Sequence, residues 1–411
     1  MVQSQIDGTR LRQSIEELSK IGRQSSGGIS RFTFSRADMQ AREYVSNLMK
    51  DSGLTVSVDQ FGNIIGRMGS VSEGLPAVMC GSHIDTVPNG GPLDGAYGVL
   101  SGIEAARTIH EQTMPIKSPL EVVAFTEEEG VRFPSFIGSL GLTGALRRQD
   151  AYALKDDNDV TFERALTDAG LNPAELQTLH RKPGEIKAYL ELHIEQGPEL
   201  DRERIPIGIV KSIVGLGDLK VELEGTASHA GTTPMPLRHD ALLGASRVIL
   251  GVNDIACRKR HAVSTVGSLT VSPNASNVIP GKVALTVDFR DPTWSGLQQL
   301  RNDIVRETKR VGKEMRLKVR IEKKSLTKPA RMSGTVINAI KSSARSLGVV
   351  NKEMNSGAGH DCQSMARITD VGMIFVPSVR GVSHVPNEWT RPEHLEAGAN
   401  VLLNTLLLLL S

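Results

Sequence analysis

The sequence predicts an α/β protein of two domains, in which a smaller α+β domain interrupts a larger one. Three observations support this prediction. Apolar segments of strand length alternate with amphipathic segments of helix length as far as residue 211, which is typical of a largely parallel sheet covered by helices. From 212 to 327 the order becomes β-α-β-β-α-β, which fits a ferredoxin-like domain. From 328 to 411 the α/β pattern returns, so the larger domain is predicted to consist of 1–211 and 328–411.

The first part of the larger domain shows helices and strands in alternation. The clearest helix start is Ser35, a residue type that accepts a hydrogen bond from the first helical turn, and Gly53 follows the end of the same helix. The segment 120–125 is apolar apart from Glu121 and indicates a buried strand. The predicted helices are 14–21, 36–50 and 99–111, and the predicted strands are 55–58, 63–67, 77–80, 120–125 and 187–193.

The inserted domain and the C-terminal part contain further segments of both kinds. Residues 219–223 alternate strictly between apolar and polar side chains, as in a strand with one solvated face. The inserted domain is predicted to contain strands 219–223, 263–271, 283–289 and 317–321 and helices 237–256 and 297–311. The last part is predicted to contain a helix at 335–347, a strand at 372–376 and a helix at 393–410.

Length and composition restrict the class of protein. A chain of 411 residues exceeds the usual size of one hydrophobic core, which favours two domains. The formal net charge of +2 argues against nucleic acid or an anionic membrane as the main partner. Three cysteines without a C-x-x-C spacing do not indicate a disulfide framework. The polar N-terminus is unlike a signal peptide, and the leucines at 406–410 are too few to span a bilayer, so a cytoplasmic protein is expected.

The segment C-G-S-H-I-D-T-V-P-N-G-G-P-L-D-G-A-Y-G, residues 80–98, has the features of a metal site. His83 and Asp85 are two residues apart, so in an extended chain both side chains lie on one face. A glycine-rich turn then brings Asp94 to the start of the next helix. An imidazole and two carboxylates at the carboxyl end of a strand suit a divalent cation, although a polar surface turn can contain the same residue types.

Three further segments place metal-binding residue types at predicted strand or loop ends. The run Glu127-Glu128-Glu129 follows an apolar strand. As an acidic turn it would simply be solvated, whereas at a strand end its side chains alternate and can divide the roles of metal ligand and general base. His193 ends a strand in H-I-E-Q-G, and His384 lies in G-V-S-H-V-P-N-E-W. The combined nitrogen and oxygen donors suit Zn²⁺, Mn²⁺, Co²⁺ or Ni²⁺.

These motifs resemble those of the M20 metallopeptidase-like amidohydrolases. More narrowly, they are similar to the hydantoinase/carbamoylase branch, which contains N-carbamoyl-L-amino acid hydrolases, allantoate amidohydrolases and one type of β-ureidopropionase. The resemblance rests on H-x-D at His83, E-E-E-G at Glu127, H-I-E-Q-G at His193 and S-H-x-P at Ser383, and it covers nearly the whole chain. It implies an aminopeptidase-like α/β domain with two divalent metal ions per subunit, an inserted lid that forms a homodimer interface, and a small-molecule carbamoyl substrate.

The resemblance also implies a role for each candidate residue of the larger domain. Glu128 resembles the general base, and Asp85 resembles the partner that fixes the tautomer and orientation of His83. The neighbouring Glu127 leaves the register of the acidic pair open. The residues that resemble metal ligands are His83, Asp94, Glu129, His193 and His384, with Asp94 as the bridging ligand.

The inserted domain carries a second set of candidates. In S-H-A-G-T-T-P-M, His229 matches the residue that reaches the partner subunit's active site and polarises the scissile carbonyl, although the segment also reads as a strand-to-helix turn. Asn277 and Arg290 match substrate-binding positions, where a guanidinium suits a carboxylate. As alternatives, Asn277 could cap a turn and Arg290 could pair with a neighbouring aspartate. In the larger domain, Gly359 matches the family's substrate-binding glycine loop.

The resemblance implies hydrolysis of a carbamoyl C–N bond with release of ammonia and carbon dioxide. Leu216 stands where allantoate hydrolases typically carry glutamine, and an apolar residue favours N-carbamoyl-L-amino acids with an apolar side chain. Allantoate amidohydrolase or β-ureidopropionase activity is the alternative within the branch. A dipeptidase or aminopeptidase, or an inactive binding module, is the alternative outside it.

Overall fold

The computed structural model describes residues 4–69, 74–174, 176 and 180–411. These residues form two compact units. One unit contains both ends of the chain, up to Lys211 and again from Arg331, and the other contains Ser212–Ala330.

The helices of the larger unit are α1 Gly8–Lys20, α2 Arg36–Asp51, α3 Ala96–Glu111, α4 Ile137–Leu142, α5 Arg148–Tyr152, α6 Phe162–Asp168 and α7 Glu199–Glu203. In chain order there follow α8 Ala241–Cys257 and α9 Trp294–Glu314 in the smaller unit, and then α10 Gly334–Ser346, α11 Asp361–Met365 and α12 Pro392–Leu410 in the larger one. Short 3₁₀ helices occur at Met235–Leu237 and Val379–Gly381.

The strands, also in chain order, are β1 Thr55–Val58, β2 Ile64–Met68, β3 Ala77–His83, β4 Leu120–Phe125, β5 Ile186–Ile194, β6 Ile207–Ile213, β7 Gly215–Glu224 and β8 Ser228–His229. They continue with β9 Val263–Ser272, β10 Val278–Ile279, β11 Lys282–Asp291, β12 Lys318–Thr327, β13 Ala330–Arg331, β14 Asn351–Ser356 and β15 Asp370–Val376.

The main sheet is parallel only at its centre. Among the described residues it has nine strands in the order β1-β2-β4-β3-β5-β15-β6-β13, with β14 paired to β6. The pairs β4–β3, β3–β5 and β5–β15 are parallel, whereas β1–β2, β2–β4 and β15–β6 are antiparallel. The α/β fold is therefore as predicted, but the sheet is less parallel than expected. Its margins are antiparallel, through the predicted strands β1 and β2 on one side and through β6, which was not predicted, on the other.

The core of the larger unit lies between this sheet and α1, α2, α3, α10 and α12. The central strands β3 and β4 are buried along their whole length, which explains why they read as continuous apolar runs. The last leucines of α12, including Leu406 and Leu410, are buried in this core. Within the described part of the chain, no helix combines the length and the apolar character needed to cross a membrane.

The smaller unit has the predicted β-α-β-β-α-β succession, formed by β7, α8, β9, β11, α9 and β12. Its antiparallel sheet has the order β12-β7-β11-β9. Buried residues of α8 and α9 pack on one face of β7 and β11, and β7 alternates between buried and half-buried side chains along its whole length. The strict alternation in the sequence therefore reflects one covered and one more accessible face.

Helix starts depend on capping residues. The Ser35 cap is confirmed, since its Oγ accepts a hydrogen bond from Asp38 N at 3.2 Å. Helix α1 begins earlier than predicted because Asp7 accepts from Thr9 N and Arg10 N at 2.9 and 3.0 Å. Helix α8 begins later than predicted, at Ala241, where Asp240 is the cap.

Candidate metal centre

Two buried histidines lie at the carboxyl ends of adjacent parallel strands. His83 is the last residue of β3, and His193 lies one residue before the end of β5. These strands pair in parallel, so their carboxyl ends meet at one edge of the sheet. The two imidazole centroids are 6.1 Å apart.

Asp94 lies between these histidines, in the turn before α3. Its Oδ1 is 3.2 Å from His193 Nε2 and 3.8 Å from His83 Nε2. The next residue, Gly95, has a φ of +62°, and a Cβ at this position would collide with the imidazole of His83. Glycine at 95 therefore allows the turn to bring Asp94 close to His83.

A second arrangement of donors shares Asp94. Its Oδ2 is 2.9 Å from Nε2 of His384, and Oε2 of Glu129 is 3.9 Å from the same nitrogen. His384 lies in the segment between β15 and α12 and has a φ of 61°. Its side chain is 49% exposed, so His384 is the solvent-facing member of a group that is otherwise buried.

The structure separates the three adjacent glutamates. Glu127 has a φ of 56°, and its Oε1 accepts hydrogen bonds from the backbone N–H groups of Arg132 and Phe133 at 2.8 and 2.9 Å. Oε2 of Glu128 is instead 3.6 Å from His83 Nε2, and Glu129 faces His384. Glu127 is therefore a loop-stabilising residue, and only Glu128 and Glu129 face the centre.

The Nε2 atoms of His83 and His193 face the centre because their Nδ1 atoms are bound elsewhere. Nδ1 of His83 is 3.0 Å from the backbone oxygen of Asp85, and Nδ1 of His193 is 2.9 Å from that of Ile194. An Nδ1–H that donates to a carbonyl leaves Nε2 unprotonated and able to bind a cation. In agreement, Nε2 of His193 accepts the N–H of Gly95 at 3.2 Å. Burial lowers the pKa of His83 to about 4, so this ring is neutral at pH 7.

The Asp85 carboxylate lies beside His83 and also contacts the backbone of the neighbouring glutamates. It is 3.6 Å from His83 Nδ1, so the shorter orienting hydrogen bond of His83 goes to the Asp85 backbone. The carboxylate oxygens accept the N–H groups of Glu128 and Glu129 at 3.3 and 3.1 Å. Asp85 thus holds the backbone of the two glutamates that face the centre.

Burial and mutual repulsion govern the ionisation of the carboxyl groups. Burial, together with the charge of Asp94, raises the pKa of Glu129 to about 9. Burial and the charge of Glu129 raise the pKa of Glu128 well above its usual value. Burial also opposes ionisation of Asp94, but hydrogen bonds from the protonated forms of His193 and His384, whose pKa values rise to about 9 without a cation, outweigh that effect and lower its pKa. A cation among these groups would relieve the repulsion that raises the first two pKa values.

The donor atoms of this centre fit a divalent cation. Oε1 of Glu129 is buried and accepts no hydrogen bond from any residue that the structure describes, which is unfavourable unless another group compensates it. Imidazole and carboxylate donors together suit Zn²⁺, Mn²⁺, Co²⁺ or Ni²⁺. Two sets have donor atoms within 4.8 Å of one another and share Asp94, namely His83, Asp94 and His193, and Asp94, Glu129 and His384.

Two further residues of the same sequence motifs, Gln196 and Glu388, also contact the centre, although the motifs by themselves indicate no role for them. Gln196 donates from Nε2 to Asp94 Oδ2 at 2.9 Å, and the same nitrogen is 3.1 Å from His384 Nε2. Glu388 accepts the N–H of Asp94 at 3.0 Å. In the sequence, these two residues stand out only because they belong to H-I-E-Q-G and S-H-V-P-N-E-W. No rule of residue spacing predicts a function for a residue that is merely close to a motif histidine.

The glycine loop adjoins His193 through His360. The His360 ring packs edge-on against His193 with centroids 4.7 Å apart, so the structure places Gly359 next to a residue that contacts the centre. Glu191, His193 and His360 form a third set of close donors. Both carboxylate oxygens of Glu191 accept hydrogen bonds at 2.8 Å, from a serine of β3 and a backbone N–H of α11, so hydrogen bonds already satisfy this carboxylate.

In the smaller unit, His229 is exposed, and its local hydrogen bonds determine that Nε2 is the ring nitrogen able to donate. Its Nδ1 accepts the backbone N–H groups of Gly231 and Thr232 at 3.0 and 3.2 Å. A neutral imidazole whose Nδ1 accepts hydrogen bonds carries its proton on Nε2. The turn S-H-A-G-T-T-P therefore fixes the tautomer in which His229 donates from Nε2.

Asn277 and Arg290 are not neighbours within one chain. His229 lies opposite Val278 in the β8–β10 pair, which places it near Asn277. This pair lies beyond the Lys282 end of the β7–β11 ladder, whereas Arg290 is eight residues further along β11, about 26 Å at the usual rise of a strand. His229 and Asn277 thus share one end of the sheet, and Arg290 lies near the other.

Arg290 contacts an adjacent aspartate and lies opposite Leu216 in the sheet. Its Nε is 3.0 Å from Oδ1 of Asp288, and its Nη2 is 3.3 Å from Oδ2, so the pairing with an adjacent aspartate that the sequence left open is present. Leu216 is the partner of Arg290 in the antiparallel ladder. Residues directly opposite each other lie on the same face, so Leu216 and Arg290 are side by side.

Comparisons with known proteins identify the relatives of this chain. The profile of Peptidase family M20/M25/M40 matches residues 79–408. The chain is 41% identical over 407 residues to the N-carbamoyl-L-amino-acid amidohydrolase of Pseudomonas sp. (strain NS671), with 98% of each chain covered. It is 36% identical over 397 residues to the allantoate amidohydrolase of Bacillus subtilis (strain 168), with 95% of each chain covered. A solved amidase of the hydantoinase/carbamoylase family from Burkholderia multivorans has a TM-score of 0.90 at 37% identity, covering 99% of this chain and 98% of that chain.

Proposed function

The chain belongs to Peptidase family M20/M25/M40, as its motifs predicted, and we propose that it hydrolyses the carbamoyl C–N bond of N-carbamoyl-L-amino acids. The reaction consumes one water and yields the L-amino acid, ammonia and carbon dioxide. The observation that carries the proposal is the 41% identity, across 98% of both chains, with a relative named for this activity. The centre supports hydrolysis because Glu128 lies beside donor sets that suit a divalent cation.

The proposed metal centre contains two divalent cations per subunit, of the class Zn²⁺, Mn²⁺, Co²⁺ or Ni²⁺. Bound cations would supply Lewis acidity, which lowers the pKa of water and polarises a carbonyl. Asp94 would serve both positions, since its two oxygens face His193 and His384 respectively. The residues that would hold the cations are His83, Asp94, Glu129, His193 and His384.

Glu128 is the proposed general base. Its carboxylate faces His83, and the Asp85 carboxylate holds its backbone N–H. A carboxyl group with a raised pKa suits a residue that takes a proton from water and returns it to the departing nitrogen. Glu129 faces His384 instead, which supports a division of roles between the two neighbours.

His229 is the proposed donor to the oxygen of the scissile carbonyl. The two backbone N–H groups on its Nδ1 keep the ring proton on Nε2, where it can stabilise the negative charge that develops on that oxygen. Because the tautomer is preset, the donor needs no rearrangement during the reaction.

Arg290, Asn277 and Gly359 are the proposed substrate-binding residues. The guanidinium of Arg290 would bind the substrate carboxylate, with Asp288 fixing its orientation through two hydrogen bonds. The glycine loop at Gly359 would let the substrate approach the backbone beside His360. The position of Leu216 beside Arg290 supports an apolar substrate side chain at this end of the sheet.

The separation of these residues supports a homodimer. One small molecule cannot reach both ends of a sheet strand that is about 26 Å long between Lys282 and Arg290. We therefore propose that Arg290 comes from one copy of the smaller unit, and that His229 and Asn277 come from the other copy. The smaller unit is then the dimerisation domain and the lid of the active site.

We also propose a cytoplasmic location and no nucleic-acid or membrane partner. Cys80, Cys257 and Cys362 are free thiols, as expected for a reducing compartment, and the net charge of +2 gives no strong attraction to polyanions.

A substrate panel tests the proposed reaction. The metal-loaded protein is given N-carbamoyl-L-amino acids with apolar and polar side chains, N-carbamoyl-β-alanine and allantoate, and released ammonia is measured. The expected result is the highest kcat/KM on an N-carbamoyl-L-amino acid with an apolar side chain, with loss of activity in a chelator. Turnover of allantoate alone would assign the chain to the reaction named for the Bacillus subtilis relative, and turnover of none would contradict both assignments.

A further inference from the structure

One buried carboxylate joins the two backbone segments that carry Asp94 and His384. Oε1 of Glu388 accepts the N–H groups of Leu93 and Asp94 at 2.9 and 3.0 Å. Oε2 accepts the hydroxyl of Ser383 at 2.6 Å and the N–H of His384 at 3.4 Å. Two segments that are remote in the sequence therefore share a single side chain as their common acceptor.

The hydrogen-bond donors to Glu388 are backbone N–H groups and one hydroxyl, not a cationic side chain. Glu388 as a whole residue is 3% exposed, and among the ion pairs of the described residues none includes it. Its position just ahead of α3, whose N-cap Gly95 has no side-chain hydrogen bond, is favourable for a negative charge. An apolar residue here would leave the N–H groups of Leu93 and Asp94 buried without this acceptor.

The turn before Asp94 is fitted closely to Glu388. A Cβ on Gly91 would collide with the Glu388 side chain, so only glycine at 91 lets the turn approach the carboxylate. This steric fit is independent of the hydrogen bonds, and it explains one glycine of the N-G-G-P-L-D-G sequence.

We propose that Glu388 is a positioning residue that holds Asp94 and His384 at the separation needed to bind one cation, acting through their backbone rather than through the cation. The proposal rests on the metal centre proposed above. The atoms that Glu388 would keep in place, Asp94 Oδ2 and His384 Nε2, are 2.9 Å apart. An outer residue of this kind typically changes metal affinity by about 10–100-fold when it is removed.

Metal affinity is the first test. The full-length protein is stripped with a chelator and titrated with Mn²⁺ or Zn²⁺ alone, in competition with a chromogenic chelator. Glu388→Ala is expected to weaken metal binding about 10–100-fold, and Gly91→Ala is expected to weaken it in the same direction because it displaces Glu388.

Asp59→Asn is the matched control. Asp59 is a fully buried carboxylate that accepts the backbone N–H groups of Phe61 and Asn63 at 2.9 and 3.0 Å, but it contacts none of the proposed ligands. This variant is expected to lose stability and to keep its metal affinity. Equal loss of affinity in Asp59→Asn and Glu388→Ala would show that Glu388 contributes only general stability.

Hydrogen exchange of the metal-free protein is the second test. Glu388→Ala should speed amide exchange in both joined segments, around Asp94 and around His384, while Asp59→Asn should leave both protected. Glu388→Gln retains one accepting oxygen, so it should deprotect one of the two segments and keep the other. This pattern identifies a shared acceptor, which a general loss of stability would not reproduce.

Glu388→Gln and Gly91→Ala also keep the test decisive if Glu388→Ala does not fold. Wild-type metal affinity in both folded variants would overturn the proposal, as would unchanged exchange in both segments. If the wild-type protein hydrolysed none of the carbamoyl substrates, the proposed reaction would be rejected. The differences in metal affinity and hydrogen exchange between the variants would still test the role of Glu388.

Discussion

Oδ2 of Asp94 and Nε2 of His384 lie 2.9 Å apart, although Asp94 precedes α3 and His384 precedes α12, the last helix of the chain. The other oxygen of Asp94 faces His193 at 3.2 Å. The Asp94 carboxylate therefore lies between the buried His193 and the solvent-facing His384.

Asp94→Ala is expected to abolish metal binding at both proposed positions, because each set of donors includes Asp94. Metal equivalents per chain, measured by mass spectrometry after loading and desalting, provide the readout. Two tightly bound equivalents with normal ammonia release would show that the centre is misplaced.

Replacing each of the adjacent glutamates by glutamine should separate their roles. Glu128→Gln should lower kcat by about 10²–10⁴-fold while metal still binds, as expected for the loss of a general base. Glu129→Gln should weaken metal binding. Glu127→Gln is the control, because Glu127 binds the backbone of Arg132 and Phe133. If Glu128→Gln lost metal and Glu129→Gln kept it, the two roles would be exchanged.

Arg290→Ala should raise KM strongly for a carbamoyl amino acid, because the substrate carboxylate loses its partner. Arg290→Lys should recover only part of the loss, since an ammonium cannot bind in the two-pronged geometry. Asp288→Asn should raise KM in the same direction, because it weakens the pairing that orients the guanidinium. Equal kcat/KM of the wild-type protein on a carbamoyl amino acid and its amide would argue against a carboxylate site.

His229→Ala should lower kcat by about 10²–10³-fold, the typical loss of one oxyanion donor, with its metal content unchanged. Mixing His229→Ala with Glu128→Gln under conditions of subunit exchange tests whether the donor acts across a dimer. Half of the random dimers are mixed, and each would have one site with neither substitution. Activity should then return to about a quarter of wild type. No recovery after verified exchange would place His229 in the site of its own chain.

Gly95→Ala should weaken metal binding and stability together, because the new Cβ strains a φ of +62° and meets the ring of His83. Gly348→Ala is the matched control, with a φ of +67° and no atom within 4 Å of the added Cβ. It should lower stability by only about 1–2 kcal/mol, the backbone cost alone, and leave metal affinity unchanged. Thermal unfolding and metal titration of both variants check this, and equal metal affinity in the two would show that the His83 contact is unimportant.

Most of the helices and strands could be predicted from the sequence, since hydrophobic periodicity and capping residues are local. The strand at 120–125 and the cap at Ser35 are examples. The polar strand β14 and the capped start of α1 at Gly8 were missed, because a half-exposed strand has little periodicity and an aspartate before a helix is one of several possible starts.

The sequence by itself determined the family and named a set of side chains, including His83, Asp94 and His193, at the ends of elements where parallel strands collect ligands. It left open which of the adjacent glutamates faces that edge, and it gave Glu388 no role. Only the tertiary structure decided that Glu127 turns away and that Glu388 joins the segments of Asp94 and His384. The reason is physical: periodicity records whether a side chain is buried, whereas its direction at a turn and its contacts with remote segments depend on how distant parts of the chain pack together.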